Sequence, residues 1–150
     1  MSEPTAIEQA LIEMTRSVSD DLPIEKFILE FGRYFVGSPL PHGIERGHPH
    51  ECYANAAALA LAHDADAEYA EGYAYNSELQ SPFLHAWCLE GGLVVDNTLH
   101  HPEEFDYFGV IIPKRIVRES IRETGTYGVL TSEEGPKLMA SWKAIAGGSI

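Results

Sequence analysis

Residues 82–99 read PFLHAWCLEGGLVVDNTL, and the way their two halves pair decides the fold. Both halves, 82–90 and 93–99, are rich in aromatic and β-branched residues, a strand composition. Gly91-Gly92 between them is a two-residue hairpin signal, because the favoured tight turn needs positive φ at both central positions. If Glu90 pairs with Leu93, His85 falls opposite Thr98 and Trp87 opposite Asp96. Residues two apart on a strand share a face, so His85 and Asp96 lie on one face, a diagonal step apart. A four-residue turn keeps that register, whereas a three-residue loop would bring Asn97 to the face of His85 instead. The hairpin therefore predicts an imidazole with an orienting side chain, Asp96 first and Asn97 second.

Other strands flank the hairpin. EYAEGYAY (68–75) and YFGVIIP (107–113) have the same composition, which predicts an antiparallel sheet of about four strands. Upstream, Ile7, Leu11 and Met14 recur at helical spacing over residues 5–18, with Ala10 and Val18 extending the stripe. Pro23 suits a first helical position, and Ile24, Phe27, Ile28, Phe31 and Phe35 continue as one apolar helical face. GSPLPHGIERGHPH (37–50) is dense in glycine and proline and reads as loop. Residues 51–63, alanine-rich and free of breakers, predict a buried central helix. RIVRESIRET (115–124) and GPKLMASWKAIAG (135–147) read as helices, the first with a solvated face of alternating charge. The expected architecture is α+β in a single domain over residues 1–150, with the central helix on the sheet and extra helices at both ends.

Cys52 falls in the first turn of the central helix, since Pro49 holds His50 extended and ends regular structure ahead of it. Unpaired backbone N–H groups and the positive end of the helix dipole favour thiolate there. Taken alone, Cys52 could pack as a small hydrophobe, His85 as a core histidine, and Asp96 as the start of an Asx turn with Asn97. Together they match the nucleophile, base and orienter pattern of covalent catalysis. Cys88 takes the face opposite His85 and reads as structural.

A cysteine opening a helix, then HAW on one strand and VVDNT on the next, resembles the papain-like, transglutaminase-like cysteine superfamily. The resemblance covers roughly residues 46–113 and includes GYAY and YFGV around the histidine strand. It implies a helix packed on an antiparallel sheet, Cys52 as nucleophile, His85 as general base and Asp96 as orienter. It further implies acyl transfer from an amide or thioester of a protein or small molecule, by a hydrolase, deamidase or transferase that needs no cofactor. The chain departs from papain-like peptidases in having no glutamine in residues 37–51 to donate to an oxyanion. Arg46, His48 or His50, with the Cys52 N–H, stand as substitutes, and Asn55, Trp87 and Asn97 as further oxyanion or pocket candidates. ERGHPHEC only echoes the Arg-Gly-Gly that arylamine N-acetyltransferases, a related branch, carry before their cysteine.

Two other readings use the same residues. His42, His48, His50 and Cys52, with His100 and His101, have the donor chemistry for zinc, although H-x-H-x-C is no established zinc spacing and Pro49 hinders convergence. A non-catalytic binding protein would line a pocket with Tyr53, Tyr73, Tyr75, Trp87 and Tyr107, which otherwise read as core and sheet aromatics.

The chain of 150 residues carries 10 Lys and Arg against 23 Asp and Glu, a formal net charge of −13. That balance argues against polyanionic partners, so neither nucleic acid nor an anionic membrane surface is expected. No apolar run is long enough to span a bilayer, and the polar, acidic start is unlike a signal or transit peptide. A reducing cytoplasm is the expected location, with no Cys52–Cys88 disulfide.

Overall fold

The computed structural model describes residues 3–17 and 22–148. Helix α1 (Ala6–Ser17) begins with a capping box: the Thr5 N–H and hydroxyl donate to Glu8 Oε1, and the Glu8 N–H returns a bond to Thr5 Oγ1 at 3.3 Å. Ile7 and Leu11 of its apolar stripe are fully buried; Val18 lies outside the described residues. Helix α2 (Pro23–Phe31) starts on Pro23 as expected and buries Phe27 and Ile28.

The predicted continuation of α2 to Phe35 does not occur. Residues Arg33–Val36 form strand β1 instead, so the sheet has five strands rather than about four. Gly32 is the breakpoint: its N–H caps Ile28 O at 2.7 Å while its backbone turns extended, φ −81° and ψ 173°. A Cβ there would meet Ile28 O at 2.5 Å. Phe35 then pairs with Tyr107 and packs edge-on against Trp87, burial that a further helical turn would not give it.

After a long loop come α3 (Cys52–Leu61), β2 (Glu68–Tyr75), β3 (Phe83–Glu90), β4 (Leu93–Val95) and, past a 3-10 turn at Pro102–Glu104, β5 (Asp106–Ile112). Helices α4 (Lys114–Thr124) and α5 (Gly135–Gly148) follow, near their expected bounds. The sheet is antiparallel throughout, in the order β1-β5-β2-β3-β4. It curls until its outer strands, β1 and β4, approach one another.

The alternation in β2 explains the curl. Tyr69, Glu71 and Tyr73 face the helices, while Ala70, Gly72 and Ala74 face the inside of the curl. Gly72 pairs with Gly109 of β5, and a Cβ on either would lie within 2.4 Å of the opposite strand's backbone. These small residues make room for the inward side chains of β3: Ala70 pairs with Trp87, Gly72 with His85 and Ala74 with Phe83. Trp87, fully buried, fills the interior with Phe35, Leu89, Val94 and Tyr107. The larger core lies between the outer face and the helices, where α3 brings Ala56, Ala57 and Ala60 against the sheet. Alanines allow so close an approach that the Cys88 thiol donates to Ala56 O at 3.1 Å. Among the described residues no helix is long and apolar enough to cross a membrane.

Candidate active site

The hairpin register is the one expected: Glu90 pairs with Leu93, Leu89 with Val94 and Cys88 with Val95, across Gly91 and Gly92 at φ +60° and +82°. The second strand is shorter than predicted, because at Asp96 the chain leaves the ladder and turns. Asp96 Oδ1 accepts the Thr98 N–H at 2.9 Å and the Leu99 N–H at 3.3 Å. Its Oδ2 accepts from His85 Nε2 at 2.7 Å. The turn-forming and histidine-orienting roles of Asp96 are therefore not alternatives; each uses one carboxylate oxygen.

Asp96 is fully buried and His85 is 2% exposed. Burial alone would push the Asp96 carboxyl up, yet it is held below the ordinary carboxylate value, first by the hydrogen bond and charge of His85, then by Tyr107 and the Thr98 N–H. Burial likewise pulls the His85 imidazole down, but the hydrogen bond and charge of Asp96, together with the nearby Cys52 thiol, outweigh it and lift the pKa to about 9. With Nε2 committed to Asp96, Nδ1 is the ring nitrogen left for Cys52. Cys52 itself is half-buried at the first position of α3. No side chain caps that helix end, so its leading N–H groups remain open beside the sulfur. His50, two residues ahead, is not extended as expected but sits at φ +66°, a left-handed conformation uncommon for a residue bearing a Cβ, because the restriction Pro49 imposes falls on the residue before it, His48.

Tyr107 belongs to this group and was not singled out for it in the sequence. Its hydroxyl donates to Asp96 Oδ2 at 2.7 Å, the oxygen that also serves His85. The signal lay in the alternation of β5, which turns Tyr107, Gly109 and Ile111 to one face. Reaching Asp96 from there depends on the curl, since β2 and β3 separate β5 from β4 in the sheet.

The other candidates occupy different places. Arg46, His48 and His50 are exposed, and Arg46 donates to His100 Nδ1 at 2.9 Å. Asn55 spends both amide hydrogens internally, on His48 O at 2.8 Å and Thr98 Oγ1 at 2.9 Å, leaving none for a substrate oxyanion. Asn97 donates to Asn55 O at 3.1 Å. Trp87 stacks on His85 with ring centroids 6.2 Å apart but is sealed inside the curl with Tyr107, and Tyr73 is buried on the helix-covered face, so these aromatics line core rather than pocket. Tyr53 and Tyr75 are half-buried against the helix-covered core. Among the described residues no group of three or more His, Cys, Asp or Glu side chains is gathered to hold a metal ion. Cys88 is buried, with its thiol pushed up to about 12 chiefly by burial.

Comparison with protein-family models, curated proteins and solved structures finds no match for this chain.

Proposed function

We propose that the protein is a cysteine-dependent acyl-transfer enzyme with Cys52 as nucleophile, His85 as general acid and base, and Asp96 as orienter. One observation carries this reading: the buried His85–Asp96 pair at 2.7 Å, with Cys52 at the open start of α3 near enough to help raise the imidazole's pKa. A structural histidine needs neither a carboxylate nor a thiol on its second nitrogen. A nucleophilic cysteine needs both, because the ion pair supplies thiolate and fixes the proton that the leaving group will take.

In the proposed reaction the Cys52 sulfur adds to the carbonyl carbon of an amide or thioester. The oxyanion forms beside the leading N–H groups of α3, the Cys52 N–H first among them. His85 gives its proton to the departing nitrogen or sulfur as the carbonyl re-forms, leaving an acyl-Cys52 thioester. Water or an amine then attacks the thioester, His85 takes the attacking group's proton, and Cys52 is released. No cofactor enters the scheme. Tyr107 and the turn at Asp96 hold the carboxylate with three further hydrogen bonds, which keeps the ring orientation fixed through both half-reactions.

The test is selective alkylation followed by turnover. Iodoacetamide at neutral pH should label Cys52 and spare Cys88, and an activated acyl thioester should leave one acyl group on Cys52. Cys52→Ala should abolish acylation with the fold retained. Equal, slow labelling of both cysteines would overturn the assignment, and so would acylation that survives Cys52→Ala.

A further inference from the structure

Asn55 lies three residues after Cys52 on α3, one turn deeper on the same side of the helix, and is 8% exposed. Its side-chain amide joins two segments that are far apart in sequence. One hydrogen goes to His48 O, in the loop ahead of the nucleophile, and the other to Thr98 Oγ1, in the turn that Asp96 organises. Two more bonds fasten the same three pieces together: Asn97 Nδ2 to Asn55 O at 3.1 Å, and the Gly47 N–H to Asn97 O at 2.8 Å.

The fit around the amide is close. A Cβ at residue 47 would fall 2.1 Å from Asn55 Oδ1, so only glycine lets the amide reach past to the His48 carbonyl. That carbonyl also accepts the Glu51 N–H at 3.4 Å, closing the turn that delivers the chain into α3. Within it stands His50 at φ +66°, a conformation that persists where the surroundings hold it. Thr98, at the other end, puts its own N–H on Asp96 Oδ1. The turn that leads into Cys52 and the turn that Asp96 organises are thus linked through a single side chain.

We propose that Asn55 is a positioning residue of the site, its amide fixing the Cys52 turn against the Asp96 turn so that the thiol meets the outer nitrogen of His85. This rests on the acyl-transfer reading only in taking Cys52, His85 and Asp96 as the working group. Neither hydrogen of the amide is free for substrate, so Asn55 acts through the groups it holds. Nδ2 donates to both partners at once, and a carboxylate of the same shape cannot do that.

The test compares the full-length chain with Asn55→Asp, Thr98→Val, Thr98→Ser and His85→Ala. Two quantities are read: the rate of Cys52 alkylation by iodoacetamide at pH 7, and the midpoint of the His85 titration by NMR. Asn55→Asp and Thr98→Val should slow alkylation at least about tenfold, since a displacement of about 1 Å at a reacting pair costs up to about a hundredfold. Both should lower the His85 midpoint from about 9, because the Cys52 contribution to it weakens. Thr98→Ser, which restores the hydroxyl, should return both quantities to the wild-type values. A residue that only stabilised the fold would move the melting temperature and neither of these. Alkylation within about twofold of wild type and an unchanged His85 midpoint in Thr98→Val would overturn the proposal, even if Asn55→Asp failed to fold. His85→Ala separates the two levels. If it alkylates like wild type, the catalytic reading fails. If it is slow while Asn55→Asp and Thr98→Val are normal, the positioning role alone fails.

Discussion

Replacing Asp96 with asparagine changes one atom and should invert the chemistry of His85. The Thr98 and Leu99 N–H groups need an acceptor at Oδ1, so the new carbonyl must stay there. The new NH2 then takes the place of Oδ2, facing His85 Nε2 and the Tyr107 hydroxyl. Tyr107 can rotate its hydroxyl and accept. His85 can only answer by giving up the proton on Nε2, which leaves its remaining proton on Nδ1, pointing at Cys52. In that tautomer the ring cannot receive the thiol's proton, the fault that costs about 10⁴ in turnover in a serine triad lacking its aspartate.

The size of the stability effect follows from the same pair. A rise from 6.5 to about 9 corresponds, at about 1.4 kcal/mol per tenfold in proton binding, to roughly 3 kcal/mol. Because the folded value is raised, this contribution is complete below pH 6.5 and is lost as pH climbs through about 9. Asp96 is depressed, so its contribution is present above its ordinary 3.8 and is lost as pH falls below that. The difference between wild type and Asp96→Asn should therefore be widest between about pH 4 and 6.5. There it should reach roughly 6–12 °C in melting temperature for a chain of this length. Above about pH 9 it should shrink. Cys52 alkylation at pH 7 should slow, because the ring in that tautomer no longer accepts the thiol's proton. Thermal melts from pH 4 to 10, with NMR titration of His85, measure both effects. A melting difference that stays constant across that range, or a wild-type His85 that titrates at its ordinary value, would refute the reasoning.

Tyr107→Phe removes a hydrogen bond to a buried carboxylate and should cost about 2 kcal/mol in chemical denaturation, while leaving Cys52 the preferentially alkylated thiol. Gly109→Ala would place a Cβ 2.4 Å from Glu71 O and 2.8 Å from Trp87 Cη2; it should lower stability by about 1–3 kcal/mol or more and shift the Trp87 fluorescence. Glu71, buried on the helix side, accepts the Val129 and Leu130 N–H groups at 2.6 and 2.9 Å and the Tyr69 hydroxyl at 2.5 Å. Glu71→Ala would strand two main-chain donors and should destabilise the chain by more than about 2 kcal/mol, with hydrogen exchange at 129 and 130 accelerating first.

Local chemistry determined a good part of this protein. Gly91-Gly92 set the hairpin register, and with it the shared face of His85 and Asp96, because a two-residue turn leaves no freedom of parity. The composition of residues 68–75 specified β2 at its observed bounds, and the absence of breakers specified α3. Those features act over neighbouring residues, where sequence and geometry are directly linked. What the tertiary structure decided is everything that depends on distance across the curl. Helical periodicity in residues 23–35 ran on to Phe35, but Phe35 gains more by pairing with Tyr107 and packing on Trp87, so the chain breaks at Gly32 and adds a fifth strand. Tyr107 meets Asp96, and Asn55 joins His48 to Thr98, only because glycines and alanines on β2 and β5 let the sheet bend. No periodicity encodes such contacts, since they depend on how far a whole sheet curls rather than on any one residue's preference.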